Sequence, residues 1–322
     1  MTQYQFSNCE ELVALCKKHK LPISQIAILR EMELFGKTRS WVRNKMKTVR
    51  ETMKEAIQIG IKSNEKSKYG LVGGEAVKLY GAVMGRKATL LNKLALRAMA
   101  YAVATNEQNA RMGRIVAFPT AGGSGVVPGV LFSTSQHMKS SKRKMLSALF
   151  TASAIGIAII KHGGTVSAAR AGCQAEVGVG TAMAAAAVTE MRGGTPEECV
   201  NASALALKNM LGLACDPLGG LVEVPCVKRN AIGAVSALAA SDMSMIRVRS
   251  TVPMDEVVEA MMNISMSMSE SIRETALGGL AVTKTGLAIR KKMGLPDIPK
   301  KYLDWKNRKP GERACTSCNK CG

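Results

Sequence analysis

The apolar residues of this 322-residue chain are mostly small or unbranched, and few of them are aromatic. Hydrophobic residues make up 47% of the sequence and aromatic residues only 4%, so Ala, Met and Gly supply much of the apolar content. Small contact residues let helices pack closely, whereas strands favour aromatic and β-branched side chains. We therefore expect a mainly α fold, and the composition excludes an all-β fold.

Length and periodicity favour one large helical domain. The chain has room for one large domain or two modest ones, but no long linker or regular internal repeat divides it. The predicted organisation is a helical domain over residues 1–290, with Gly-rich and Cys-bearing loops inserted into its centre. A basic, Cys-containing tail over residues 291–322 follows it.

Several segments show the spacing or composition of helices. Ser24 is expected to cap a helix that runs through Met32. The next segment carries apolar residues at three- and four-residue spacing, as a buried helix face does. That stripe consists of Val42, Met46, Val49, Met53 and Ile57. Residues 146–160 form an apolar run shorter than the roughly 20 residues a bilayer requires, and we expect a buried helix there. The breaker-rich stretch PTAGGSGVVPG, residues 119–129, is expected to be a loop.

The charge and the cysteines narrow the class of protein. The formal charge of +21 favours acidic partners such as a nucleic acid, an anionic membrane, an acidic subunit or a carboxylate metabolite, and does not choose among them. The first residues lack the basic and apolar regions of a signal peptide, so we expect a cytoplasmic protein with reduced thiols. An odd total of nine cysteines fits metal ligation or burial better than a disulfide framework.

Three cysteines lie in small-residue or turn contexts. Cys173 stands in AGCQAE, Cys215 in LACDPLGG and Cys226 in EVPCVKRN. Their separations match no zinc-finger or zinc-ribbon pattern, but the ligands of an iron–sulfur cube need not be adjacent in sequence. Three thiolates on a four-iron cube leave one iron open, and an open iron can act as a Lewis acid on a substrate oxygen. Three buried structural thiols explain the same pattern, so the spacing alone leaves both interpretations open.

Longer motifs resemble a known family and favour cluster ligation over structural thiols. PTAGGSGVVPGVLF, AGCQAEVGVGTAMAAAA and LKNMLGLACDPLGGLVEVPCVKRNAIGA, with GLVGGEAVKLYG and ATNEQNARMGRIV, closely resemble the alpha chain of the iron–sulfur L-serine dehydratases over most of residues 10–285. The resemblance implies a [4Fe-4S] enzyme of amino-acid catabolism and gluconeogenesis that converts L-serine to pyruvate and ammonia. Carried over residue by residue, the cluster ligands are Cys173, Cys215 and Cys226, and the predicted loops would surround this buried cluster.

The Gly-rich loop is the candidate substrate-binding segment. Consecutive glycines can expose backbone N–H groups to an anion such as the substrate carboxylate, although an ordinary turn has the same composition. The loop residues concerned are Thr120, Ala121, Gly122, Gly123, Ser124 and Gly125. Four residues beside the cysteine motifs could also contact substrate or cluster, or simply form structural hydrogen bonds. They are Lys208, Asn209, Arg229 and Asn230.

The general base is missing from the sequence pattern. Of three histidines, His19 and His137 lie in polar or basic stretches, and His162 is the best internal candidate. The resemblance implies a catalytic histidine in a Ser-Ser-His-Thr motif, which two-subunit members carry on a beta chain and which does not occur here. We therefore expect a hetero-oligomer that needs a beta chain.

The remaining cysteines fall into two groups. Cys315, Cys318 and Cys321 end the chain in CTSCNKCG, with three interpretations open: a second cluster or zinc site, a redox-sensitive tail, or Cys321 as a removable fourth ligand of the cluster. The third follows single-chain relatives, whose penultimate cysteine binds the open iron. Cys9, Cys16 and Cys199 have no partners at useful spacing and are interpreted as structural.

Other functions stay open as alternatives. A related cluster-dependent lyase acting on cysteine or threonine is one, because one methyl group is worth only about 1–3 kcal/mol in a pocket. A pyridoxal-phosphate-dependent dehydratase is another, but no lysine lies in a recognisable Schiff-base context. A basic nucleic-acid-binding protein is the third, and scattered basic residues with few aromatics argue against it. No nucleic acid or membrane partner is expected.

Overall fold

The computed structural model of the chain describes residues 3–85 and 89–304. Within these residues it contains fourteen α-helices, one π-helical turn and three short 3-10 turns. The α-helices are α1 (Cys9–His19), α2 (Ile23–Phe35), α3 (Arg39–Gly60), α4 (Glu75–Met84), α5 (Lys93–Ala110), α6 (Val126–His137), α7 (Lys142–Lys161), α8 (Ala168–Ala171), α9 (Val179–Met191), α10 (Pro196–Lys208), α11 (Cys226–Met245), α12 (Met254–Ser267), α13 (Lys284–Lys292) and α14 (Lys300–Leu303). The π-helical turn spans Gln174–Gly178, and the 3-10 turns span Leu218–Gly220, Glu270–Ile272 and Gly279–Val282.

The described part of the chain contains no β-strand, only an isolated parallel bridge between Cys215 and Arg273. The predicted mainly α fold is therefore confirmed. The division into a helical domain over 1–290 and a tail over 291–322 stays a prediction, because residues 305–322 lie outside the described residues.

Helix α9 is the centre of the molecule. Every one of its residues except Glu190 is buried, and it packs against α6, α7, α10 and α11. Close packing on all sides is possible because α9 is built mainly from alanine and other small residues. Gly233 of α11 shows how tight the fit is: a Cβ there would lie 2.8 Å from Oγ1 of Thr181 and 3.1 Å from Cγ1 of Val177.

Helix α7 contains the long apolar run. Ser141 caps it by accepting a hydrogen bond from the backbone N–H of Lys144 at 3.2 Å. It is long and apolar enough to cross a membrane, but 67% of its most apolar window is buried inside the protein, where it packs against α2 and α9. The prediction of a buried core helix over residues 146–160 is confirmed.

Two local predictions about helix starts are wrong. Pro22, not Ser24, is the N-cap of α2, and the backbone N–H of Ser24 instead donates to Oε2 of Glu190 at 3.1 Å. The second error concerns residues 126–129, which were expected to continue the breaker-rich loop but form the first turn of α6. Pro128 is compatible with that position, because a helix does not use its first backbone N–H groups for internal bonds.

The apolar stripe of the second segment forms the inner face of α3. Val42, Met53 and Ile57 are buried, and Met46 and Val49 pack against the same core. The prediction of a helix that uses these residues for core packing is confirmed.

Replacing Gly233 by alanine should destabilise the protein, because the added Cβ would press on Thr181. Overpacking of this kind costs about 1–3 kcal/mol. The matched control is Gly81→Ala in α4, where an added Cβ meets nothing within 4 Å and should stabilise the helix by roughly 0.5–1 kcal/mol. Urea unfolding of both variants measures the two free energies. Equal or greater stability of the Gly233 variant would contradict the close packing of α9 and α11.

Candidate metal centre

Three cysteines that are far apart in the sequence meet inside the protein. Cys173 is fully buried, and Cys215 and Cys226 are each 2% exposed. The side chain of Cys173 lies beside those of Cys215 and Cys226, and its sulfur lies within 4.8 Å of the sulfur of Cys215. The structure thus brings together the three cysteines that the turn contexts and the family resemblance singled out.

The backbone before α9 carries Cys173. This residue lies between α8 and the π-helical turn Gln174–Gly178. The turn is fastened to the segment that precedes Cys215, since the backbone N–H of Gln174 donates to the Leu213 carbonyl at 3.1 Å and Gly212 N–H donates to Oε1 of Gln174 at 2.9 Å. Two of the cysteine-bearing segments are therefore joined beside the sulfurs.

The isolated bridge holds Cys215 from the other side. Its backbone N–H donates to the carbonyl of Ile272 at 2.8 Å, and its carbonyl accepts from Glu274 N–H at 2.8 Å. These two bonds satisfy the backbone N–H and C=O of Cys215, which buried backbone groups require.

Cys226 is the first residue of α11. The N-terminus of a helix carries partial positive charge and favours a thiolate. One turn later, Asn230 is fully buried, and its Nδ2 donates to the Cys226 carbonyl at 2.9 Å and to the Gly122 carbonyl at 2.7 Å. Asn230 therefore ties the start of α11 to the Gly-rich loop.

Arg229 supplies positive charge beside the sulfurs. Its guanidinium donates to the Ala214 carbonyl at 2.6 Å and to Oδ1 of Asp216 at 2.9 Å, and it lies beside Cys173. Hydrogen bonds from the two other thiols, together with Arg229, hold the pKa of Cys173 well below its usual range although burial opposes this.

The pKa values of the other two thiols shift in the opposite direction. Hydrogen bonding to Cys173 and burial raise the pKa values of Cys215 and Cys226 far above their usual range. Three thiolates beside one another would therefore require further positive charge. A metal ion or metal cluster supplies such charge and deprotonates its thiol ligands, so this donor set fits a metal centre.

Glu176 completes the group of possible ligands, and the sequence did not single it out. Its carboxylate and the sulfurs of Cys173 and Cys215 lie within 4.8 Å of one another. Burial raises the pKa of Glu176 to about 7, and the charge of Cys173 acts in the same direction, while a hydrogen bond from Thr120 opposes the shift. An acidic residue three positions after Cys173, inside an otherwise apolar and small-residue stretch, was the available signal.

The Gly-rich loop lies directly on Glu176. A Cβ on Gly122 would come within 2.5 Å of Oε2 of Glu176. Three of the six loop N–H groups have partners within the protein: Gly123 donates to Oγ1 of Thr120 at 3.2 Å, Ser124 to the Ala121 carbonyl at 3.3 Å and Gly125 to Oδ1 of Asn230 at 3.0 Å. Binding of the substrate carboxylate by this loop stays a prediction.

The remaining predicted residues have structural partners. Lys208 donates to the Ser250 carbonyl at 2.5 Å, and Asn209 donates to the Leu205 carbonyl at 2.7 Å. Nε2 of His162 lies 3.1 Å from Oε1 of Glu259 on α12. The substrate role of the first two and the base role of His162 stay predictions.

Of the six cysteines outside the centre, three lie in the part of the chain that the structure describes. Cys9, Cys16 and Cys199 are buried and free, in agreement with a structural role. Cys315, Cys318 and Cys321 lie outside the described residues.

Comparison with known proteins identifies the family. The family model "Serine dehydratase alpha chain" matches residues 18–281. The protein named "Probable L-serine dehydratase, alpha chain" in Bacillus subtilis is 46% identical over 89% of this chain and 95% of its own length. The "L-serine dehydratase, alpha chain" of Peptoniphilus asaccharolyticus is 38% identical over 88% of this chain and 97% of its own length.

A longer relative shares the same region. The L-serine dehydratase TdcG of Escherichia coli is 32% identical over 87% of this chain, but the match covers only 62% of that protein. The part that is shared contains the three converging cysteines and the loop that lies on Glu176. On these grounds the chain belongs to the serine dehydratase alpha chain family.

Proposed function

We propose that this chain is the alpha subunit of an L-serine dehydratase, a lyase that converts L-serine to pyruvate and ammonia. The family match over residues 18–281 and the alpha-chain names of the relatives support it. The observation that carries it is the convergence of Cys215, Cys226 and Arg229 on the buried side chain of Cys173. Three thiolates gathered there would need compensating positive charge, which a metal centre supplies.

The cofactor we propose is a [4Fe-4S] cluster held by Cys173, Cys215 and Cys226. When bound, the cluster supplies a Lewis-acidic iron that stabilises the departing hydroxide of serine. The protein supplies three sulfurs, the helix N-terminus at Cys226 and the positive charge of Arg229. Asp216 keeps that guanidinium in place, since it accepts from Arg229 at 2.9 Å and is itself buried.

The reaction removes the α-proton and the hydroxyl group of serine as water and leaves aminoacrylate. Aminoacrylate tautomerises to an imine, and water hydrolyses the imine to pyruvate and ammonia. A base must accept the α-proton in the first step. We expect this base on the partner chain, because the Ser-Ser-His-Thr motif does not occur in this sequence.

A beta chain is the proposed partner. The Escherichia coli relative extends well beyond the matched region, so a separate chain could supply the equivalent part here. The formal charge of +21 favours an acidic surface on that partner. We expect the assembled enzyme to work in the cytoplasm, where its thiols stay reduced.

Cys321 is proposed as a removable ligand of the fourth iron. It is the penultimate residue of the chain, the position that binds the open iron in the single-chain relatives it resembles.

Assembly should be required for activity. We expect anaerobic purification of this chain to give about four iron atoms and as many sulfides per chain, and serine-dependent pyruvate release only after the beta chain is added. A chain that stays free of metal after anaerobic reconstitution would contradict the cluster. Full activity without the partner would contradict the two-chain assembly.

Replacing any one of Cys173, Cys215 and Cys226 by alanine should abolish the visible absorption of the cluster. Turnover of L-serine should fall by roughly a thousandfold or more, which corresponds to the several kcal/mol that a Lewis-acidic metal contributes. Cys199→Ala is the matched control, because Cys199 is equally buried but lies in α10 away from the trio. Retention of colour and turnover in any of the three variants would exclude that cysteine as a ligand.

Changing the proposed terminal ligand should affect the resting state only. In Cys321→Ser we expect an altered resting cluster spectrum and a shorter lag before activity, with little change in steady-state turnover. Cys318→Ser serves as the control from the same segment. If the spectrum and the lag are unchanged in Cys321→Ser, another group occupies the fourth iron.

A further inference from the structure

The Gly-rich loop packs against the carboxyl group of Glu176. The backbone N–H of Gly123 donates to Oγ1 of Thr120 at 3.2 Å, and the Thr120 hydroxyl lies beside the Glu176 carboxyl group. A carboxyl oxygen of Glu176 and the sulfurs of Cys173 and Cys215 lie within 4.8 Å of one another. Thr120 therefore links the loop to Glu176 at the edge of the metal centre.

The Gly-rich loop lies in close contact with Glu176. A side chain at Gly122 would strike Oε2 of Glu176, and a side chain at Gly123 would lie 2.7 Å from the Glu176 carbonyl. Asn106 and Asn230, both fully buried, hold the same turn through the Gly122 carbonyl, at 3.2 and 2.7 Å. The loop is therefore fixed against the Glu176 carboxyl group, and three of its six backbone N–H groups donate within the protein.

Among the described carboxylates around the three cysteines, Glu176 is the one that faces the sulfurs without an ionic partner. Asp216 uses both oxygens, on Arg229 and on the backbone N–H of Leu280 at 2.9 Å each. Glu274 is exposed and accepts from the backbone N–H of Ala169. Glu176 is 8% exposed, and its charge acts on all three cysteines.

We propose that Glu176 binds the α-ammonium group of the amino-acid substrate, with Thr120 as its positioning residue. The proposal rests on the proposed function, because it assumes that an amino acid is the molecule bound beside the three cysteines. A free amino acid carries a positive ammonium group next to the carbon that loses its proton. A buried carboxylate is the protein group that pairs best with such a cation, through a charge-assisted hydrogen bond.

This arrangement gives the site a means of selecting amino acids over hydroxy acids. A ligand without the amino group would leave the Glu176 carboxylate buried and unpaired, which weakens binding more than the loss of an exposed contact does. Glu176 and Thr120 would thus determine the class of substrate, while the side-chain contacts determine which amino acid is used.

The test compares two ligands that differ only in the amino group, L-alanine and propionate. Isothermal titration of each into the assembled, cluster-loaded enzyme measures affinity without turnover. We expect the wild-type enzyme to bind L-alanine more tightly than propionate. In Glu176→Gln this preference should fall by about tenfold to a hundredfold, with the visible absorption of the cluster retained. In Thr120→Val, which leaves the carboxylate intact, it should fall by roughly threefold to tenfold.

Glu190→Gln is the matched control, because Glu190 is a half-buried carboxylate on α9 that accepts from the backbone N–H of Ser24. The Glu190→Gln enzyme should keep the wild-type preference for L-alanine over propionate. An unchanged preference in both the Glu176 and Thr120 variants would overturn the proposal, and so would a loss of turnover in Glu176→Gln with the preference intact. Failure of the wild-type enzyme to release pyruvate from L-serine would instead overturn the proposed function.

Discussion

The structure depends on keeping negative sulfur charge stable inside a protein interior. Burying charged groups is costly unless partners compensate them. Here the side chains of Cys215, Cys226 and Arg229 lie beside Cys173, and Asp216 in turn holds Arg229 at 2.9 Å. Helix α11 adds the partial positive charge of its N-terminus at Cys226. A metal would compensate the remaining negative charge of three thiolates.

The helical core makes this convergence possible. Because α9 consists largely of alanine, glycine and valine, the helices around it approach closely and bring their ends to one place. Asn230 shows how the parts are joined, since one buried amide contacts the Cys226 carbonyl, the Gly122 carbonyl and the Gly125 N–H. Asn230 thus joins the start of α11 at Cys226 to the Gly-rich loop, which packs against Glu176.

The sequence predicted the features that depend on local pattern. The helical class followed from small apolar residues, the buried face of α3 from its spacing, and the three cysteines from their turn contexts and the longer motifs around them. Partners distant in sequence were beyond such reasoning. The Ser24 cap failed because its backbone bonds to Glu190 of another helix. Glu176 was missed because a single acidic residue gains meaning only when Thr120 and two sulfurs are placed beside it.

For the Gly-rich loop, composition indicated N–H groups that can bind an anion, and this stays a prediction. The structure adds that the N–H groups of Gly123, Ser124 and Gly125 donate within the protein. Composition identifies a segment with unusual backbone freedom, while the direction of its hydrogen bonds depends on what the fold places against it.

The central claim is that Cys173, Cys215 and Cys226 jointly hold one cluster with one iron free for substrate. Mössbauer spectroscopy of the anaerobic enzyme reconstituted with ⁵⁷Fe examines this most directly, because it distinguishes iron sites by their ligands. The account predicts that the signal of one iron alone shifts when L-serine is added, while the signals of the other three stay unchanged. Equivalent irons that do not respond to L-serine, or iron bound outside a cluster, would contradict it.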